Sequence, residues 1–265
     1  MTSIMAPPGD GYEQLARVYD SFTAQSDYEA WTGHAIASAA AYGWRGNTVL
    51  DVACGTGKSF LPFLDRGFDV TGCDASAAML AEAARKAPEV PLFEADMRAL
   101  PELGAFDLVT CFDDALNHLL DEDELTQGLQ GFARNLAPAG VLLFDLNTLL
   151  AYRTTFARDS VAVRDDLTFV LRGDSTADAP PGCLATAHVD VFAEGDDGRC
   201  GRVAARLVQR HFPPHRVTAL LSAAGLDCLG VLGVLADGAH VPEADESRQL
   251  KLIYVSRLAK GGDPE

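Results

Sequence analysis

The sequence predicts an α/β fold: a doubly wound, mostly parallel sheet with an inserted antiparallel β cap. Three observations carry that prediction. Between about residues 46 and 147, short apolar runs alternate with stretches of helical spacing. The first run closes on a glycine-rich turn. Beyond about 150 the pattern switches to alternating β-type residues, and helix resumes only near 214. Strands alternating with helices of about 10–15 residues indicate βαβ units and a parallel sheet.

The elements follow in order. Strands are expected at 48–53, 68–73, 90–93, 106–112 and 141–145. Helices are expected at 59–66, at 76–86 with Ser76 as N-cap, and at 123–136. In the cap, β-type runs occupy 161–173, 184–192 and 202–212. The last two are separated by Glu194-Gly-Asp-Asp-Gly198, a strong turn sequence. A helix at 214–224 stops at Gly225, and two closing strands at 226–233 and 250–258 flank a polar loop at 236–248. This assigns 1–149 and 214–265 to one domain with an N-terminal cover, and 150–213 to the cap on the acceptor side. The ends, 1–10 and 259–265, are expected to fray.

Composition narrows the function. The chain has 265 residues, enough to bury a core without disulfides or metal staples. Lys+Arg 21 against Asp+Glu 38 gives a net charge of −17, which repels phosphate backbones and anionic membranes. Nucleic-acid and membrane partners are therefore not expected. The six cysteines, at 54, 73, 111, 183, 200 and 228, form no Cys-x-x-Cys pair and have no histidine at metal-ligand spacing. They read as free thiols in a reducing compartment, with no metal. No apolar stretch reaches the ~18 residues of a spanning helix, and no signal peptide is visible. A cytoplasmic protein is expected.

The first strand runs into Asp51-Val-Ala-Cys-Gly-Thr-Gly-Lys58. A P-loop needs glycine where Val52 stands, and a dinucleotide fingerprint needs a small residue where Phe60 stands. Asp51 is expected beside the ligand, where it disfavours pyrophosphate. S-adenosylmethionine, with a sulfonium, an ammonium and no phosphate, fits that charge. Asp74 ends the second strand and can accept from both ribose hydroxyls. Asp96 follows the third strand and can accept from the adenine amino group, while Met97 packs on the ring.

These residues together resemble the class I S-adenosylmethionine-dependent methyltransferases, in the small-molecule branch that includes amino-sugar and other natural-product N-methyltransferases. The resemblance spans about 12–258. It is carried by Val49-Leu-Asp-Val-Ala-Cys-Gly-Thr-Gly57, Gly72-Cys-Asp-Ala-Ser76 with Met79, Glu94-Ala-Asp-Met97, and the fourth strand followed by Phe112 and Asn117-His118. Tyr19-Asp20, Asp27-Tyr28 and Trp31 are similar to the helical cover over the cofactor. The resemblance implies a seven-stranded sheet with the last strand antiparallel. It also implies cofactor contacts at positions matching Ala53, Gly55, Gly57, Asp74, Ala75, Met79, Asp96, Met97, Phe112 and Asn117, with Tyr19 and Trp31 in the cover. Lys58 replaces the commoner third glycine.

The expected reaction moves a methyl group to a nitrogen, or an oxygen, of a small-molecule acceptor and leaves S-adenosylhomocysteine. His118, after the fourth strand, and His211, at the end of the last cap strand, are the candidate bases, with Tyr19 a third candidate. A monomer or homodimer is expected. Two alternatives stay open: a nicotinamide-dependent oxidoreductase on a related sheet, and a cofactor-binding protein without transfer chemistry.

Overall fold

The computed structural model describes residues 10–164, 166–194 and 200–259. It opens with short helices α1 (Asp10–Leu15) and α2 (Tyr19–Phe22), then α3 (Tyr28–Ala41), whose N-cap Asp27 accepts from the Ala30 amide. The sheet elements follow: β1 (Thr48–Val52), α4 (Leu61–Asp65), β2 (Asp69–Asp74), α5 (Ala77–Lys86), β3 (Leu92–Glu94) and β4 (Phe106–Cys111). Next come α6 (Glu122–Arg134), β5 (Leu136–Asn147) and α7 (Leu149–Thr154). The cap is β6 (Ser160–Arg164), β7 (Leu167–Gly173), β8 (Leu184–Glu194) and β9 (Cys200–Arg210). The chain closes with α8 (Pro214–Ala223), β10 (Leu226–Val234), β11 (His240–Val241) and β12 (Lys251–Leu258).

The large sheet runs β11-β10-β12-β5-β4-β1-β2-β3. Strands β1 to β5 pair in parallel, whereas β12 is antiparallel to both β5 and β10. The strand order turns back between β1 and β4, so the carboxyl ends of these strands open a crevice there. Alternate residues feed opposite faces. Leu50 and Val52 pack with Leu129, Phe132 and Leu221 from α6 and α8; Val49 packs with Phe60, Phe63, Ala35 and Ala39 on the other side. Each fully buried phenylalanine contributes roughly 1.5–3 kcal/mol through removal from water.

Most expected elements stand where the spacing put them. Ser76 Oγ accepts from the Met79 amide, as an N-cap should, and Gly225 ends α8 at φ 79°. The structure makes two corrections. The sheet has eight strands, not seven, because the polar loop at 236–248 lends a two-residue edge strand that pairs with β10. The run at 161–173 is a hairpin of two strands, which turns back beside Asp166 at φ 62°. The turn expected at 194–198 falls mostly outside the described residues, as do the ends at 1–9 and 260–265.

The cap forms a separate four-stranded antiparallel sheet with its own small core. Phe169, Val189, Val191 and Ala205 pack there against Leu15 from α1 and against Phe22 from α2. Arg164 of β6 donates to the carbonyls of Ser21 and Phe22. Cap and N-terminal cover are thus one packed layer above the strand ends. Among the described residues no helix is long and apolar enough to cross a membrane.

Gly57 has φ 88°, and a Cβ placed there meets the Phe60 ring at 2.7 Å. Gly57→Ala is therefore expected to destabilise the protein by about 2–4 kcal/mol, summing left-handed strain and overpacking. Urea unfolding of the variant measures it; a loss below about 1 kcal/mol would show that the turn relaxes freely.

Candidate active site

Two neighbouring chambers lie at the strand ends. The first, of about 180 Å³, is walled by Ala53 and Gly55 after β1, by Asp74, Ala75 and Met79 around the end of β2, and by Asp96 and Met97 after β3. Phe112 and Asp113 after β4, His118, and Tyr12 and Tyr19 of the cover complete it, with Leu207 and Val208 of β9 closing one side. The cap, expected on the acceptor side only, therefore also borders this chamber. The second chamber, of about 290 Å³, lies between the cover and the inner face of the cap. Its walls include Asp114, Phe156, Leu171, Val189 and Gln209. Tyr12, Tyr19, Asp113 and Leu207 belong to both.

The glycine turn is shaped by carboxylates. Asp74 accepts from the Gly55 amide through Oδ2 and from the Ser76 amide through Oδ1, each at 2.8 Å. Burial pushes its pKa up against those amides. Gly55 takes φ 54°, which brings its backbone to the chamber wall beneath Tyr19. Asp51 is fully buried and does not border the chamber. Its oxygens accept from Ser59 Oγ at 2.5 Å and Thr110 Oγ1 at 2.7 Å, so it braces the turn from below. Gly57 also lies behind the wall, against Phe60.

Asp96 caps the short 3-10 turn Met97–Ala99 through the Arg98 amide, and its carboxylate is gripped by the Arg98 guanidinium, which also reaches Glu124. The Arg98 pairing holds the Asp96 pKa below the usual carboxylate range. The chamber thus offers carboxylates, hydroxyls, thioethers and aromatic rings; of its two arginines, Arg98 is paired with Asp96 and Glu124, and Arg206 of β9 donates to Thr186 Oγ1 at 3.3 Å. That donor set fits a ribose, a purine and a cationic sulfonium. Lys58 leaves the site altogether. Its Nζ donates to Thr23 O and Oγ1, both at 3.0 Å, pinning the cover from outside. Asp20 does the same in the other direction, accepting from Thr56 Oγ1 at 2.6 Å and pairing with Lys86.

The histidines separate. His118 is in the wall, with Nδ1 donating to the Val208 carbonyl at 2.9 Å. That fixes the tautomer, so Nε2 is the acceptor for Tyr12 OH at 2.8 Å. Burial holds the His118 pKa below its usual value, which keeps the ring neutral. His211 is fully buried outside both chambers. Its Nδ1 accepts from the Gly182 amide and its Nε2 reaches Glu246 at 3.2 Å, so both nitrogens hold the base of the cap.

Two further expected contacts are displaced. Trp31 faces Lys251 and Gly238 on the far side of Phe112, not the first chamber. Asn117 is a buried cross-brace that accepts from the Asn147 amide and donates to the Arg210 carbonyl. Sequence reasoning missed Tyr12, Arg98, Asp113 and Lys251. Tyr12 and Tyr19 stand seven residues apart, two helical turns, which was the one available signal for Tyr12.

Asp113 and Asp114 follow β4 in left-handed conformation, φ 60° and 54°, at a cost of about 1–2 kcal/mol each. Asp113 Oδ2 accepts from Tyr28 OH at 3.1 Å and Tyr19 OH at 3.4 Å. Burial raises the pKa of both phenols, so they remain donors.

Comparisons with known proteins give the family and the fold. Residues 49–140 match the family described as a methyltransferase domain. A protein of Geobacillus sp. (strain WCH70) named as a methyltransferase is 33% identical over 189 residues, covering 62% of this chain and 76% of its own. A dTDP-3-amino-3,6-dideoxy-alpha-D-glucopyranose N,N-dimethyltransferase of Streptomyces fradiae is 32% identical over 141 residues, 52% of this chain and 55% of its own. The crystal structure of an S-adenosylmethionine-dependent methyltransferase from Clostridium acetobutylicum superposes with a TM-score of 0.79 at 22% identity, covering 94% and 99% of the two chains.

Burial raises the Asp51 pKa to about 6, against an ordinary 3.8. A carboxyl whose pKa is higher in the folded state favours folding when protonated, and that contribution disappears as pH rises through about 6. Asp51→Asn removes the titration. The stability of the variant relative to the wild type is expected to rise by about 2–3 kcal/mol between pH 4 and pH 7 and then level off. Urea melts across that range check it; a difference independent of pH would contradict the buried, unpaired charge.

Proposed function

Because the chain belongs to the S-adenosylmethionine-dependent methyltransferases, we propose that it methylates a nitrogen of a small amine, an amino sugar or a related natural-product intermediate, held in the second chamber. The observation that carries this reading is the wall shared by the two chambers. There Tyr12, hydrogen-bonded to the buried neutral His118, stands beside the carboxylate of Asp113.

S-adenosylmethionine, when bound, supplies a methyl group on a sulfonium. Asp74 would hold its ribose, Asp96 its adenine amino group, and Met97 and Phe112 the flat faces of the ring. The chain's own part is to align an acceptor, remove its proton and keep water away. An ammonium cannot attack, so its proton must leave first. Tyr12 oxygen can take that proton as its own passes to His118 Nε2, since the two are already joined at 2.8 Å. The Asp113 and Asp114 carboxylates on the second chamber favour a cationic amine over a neutral alcohol. The S. fradiae relative, named for dimethylation of an amino sugar, supports the same acceptor class. His211, away from both chambers, has no part in this scheme.

The deciding experiment offers the protein and S-adenosylmethionine a panel of nucleotide-linked amino sugars with their hydroxyl counterparts. Mass spectrometry then reads the gain of one CH2 per transfer. Methylation of amines alone supports the reading, and methylation of hydroxyls alone replaces it with O-transfer. Binding of S-adenosylhomocysteine without any transfer would make the protein a non-catalytic binder.

Two variants test the roles. Tyr12→Phe and His118→Asn are each expected to lower kcat by about 10²-fold or more, with the Kd for S-adenosylhomocysteine within a few-fold. Asp74→Ala should do the reverse and weaken that Kd by about tenfold or more, through loss of charged hydrogen bonds. Isothermal calorimetry separates the two classes; near wild-type turnover in both Tyr12→Phe and His118→Asn would remove the proposed proton path.

A further inference from the structure

Lys251 opens β12 and borders neither chamber, yet it reaches the turn after β4 whose Asp114 borders the second chamber alone. Its Nζ lies 2.5 Å from Asp114 Oδ1, 2.7 Å from Asp145 Oδ2 and 3.4 Å from Asp113 Oδ1. The same Asp145 oxygen accepts from the Asp114 amide at 3.0 Å, so the turn is held through its backbone and through its side chains. Trp31 covers the ammonium from the other side, 5.4 Å from ring centroid to Nζ.

The oxygens that Lys251 leaves open point outward. Asp113 Oδ2 takes Tyr19 and Tyr28 of the cover, and Asp114 Oδ2 takes Gln209 of the cap at 2.5 Å. Gln209 in turn accepts from Asn147 at the end of β5. Adjacent aspartates in left-handed conformation repel each other, and no glycine relieves the backbone there. One ammonium offsets both difficulties. Removing it leaves three carboxylates facing one another with no cation among them.

We propose that Lys251 is a positioning residue for methyl transfer: it locks the Asp113–Asp114 turn so that both carboxylates stand fixed on the acceptor side of the shared wall. This rests on the reading that the second chamber takes the acceptor. Lys251 acts through the turn and touches no ligand.

The test uses the full-length protein with Lys251→Met and Lys251→Arg. Crystal structures with S-adenosylhomocysteine report the turn, and kinetics with the best amine from the panel report its effect. In Lys251→Met the left-handed pair and the Tyr19–Asp113 bond are expected to be lost. Acceptor kcat/KM should fall by about 10²-fold, the scale of a misplacement of roughly 1 Å, with the Kd for S-adenosylhomocysteine within threefold. Lys251→Arg should restore both the turn and the acceptor kinetics. If Lys251→Met does not fold, Lys251→Gln, which keeps a donor of similar reach, takes its place.

A turn that stays unchanged without the ammonium overturns the proposal. So does a loss that falls equally on cofactor and acceptor, which marks a merely structural residue. If the wild-type protein methylates no amine and no hydroxyl, the acceptor reading fails on its own, while the turn geometry still decides what Lys251 does.

Discussion

The buried Asp51 carboxylate sets the shape of the strand ends. It sits at the end of β1, the strand flanked by β2 and β4 where the sheet order turns back. Its two partners come from opposite sides, Thr110 from β4 and Ser59 from the far end of the glycine turn. A charge with no solvent and no cation must be met by hydroxyl donors, and those donors can reach it only if the turn curls back over the strand. Curling back forces the left-handed angles at Ala53, Gly55 and Gly57. It also leaves the Gly55 amide facing Asp74, which fixes the carboxylate assigned to the ribose.

Basic residues near the site share one logic. Lys58, Lys86, Arg98 and Lys251 each have their donors committed to a carboxylate or a backbone carbonyl of the protein itself. In a chain with net charge −17, these four cations serve as internal fasteners, while Arg206 stands in the wall of the first chamber and Arg158 in that of the second. Phosphate recognition through the glycine turn itself is excluded by Val52 and Phe60 at the level of the motif.

How much of this was legible depended on whether the signal was local. Strands, helices, the Ser76 cap and the Gly225 stop depend on neighbours in sequence, and they stand as read. The residues of the contiguous motifs, from Ala53 and Gly55 to Asp96 and Phe112, come together in the wall of one chamber. The misplaced residues are those whose partners lie far along the chain. Asn117 meets Asn147 and Arg210, His211 meets Glu246, and Trp31 meets Lys251. Each is a plausible site residue by type, and only the packed fold commits it elsewhere. Asp51 shows the same limit in milder form, since its position in the motif was right and its direction was not. Lys251 looks like an ordinary residue at the mouth of a strand. The three acids that give it meaning come from the turn after β4 and from β5.

The core that joins the cover to the cap has a mechanical consequence. Leu15 and Phe22 belong to the same apolar cluster as Phe169, Val189 and Val191. A segment that lifts alone would strip water-excluded surface from its neighbour, and Arg164 would lose the carbonyls of Ser21 and Phe22. Lifting the cover from the first chamber therefore disturbs the second as well, since Tyr12 and Tyr19 wall both. Cover and cap move as one packed body or not at all, held by the shared cluster and by Arg164.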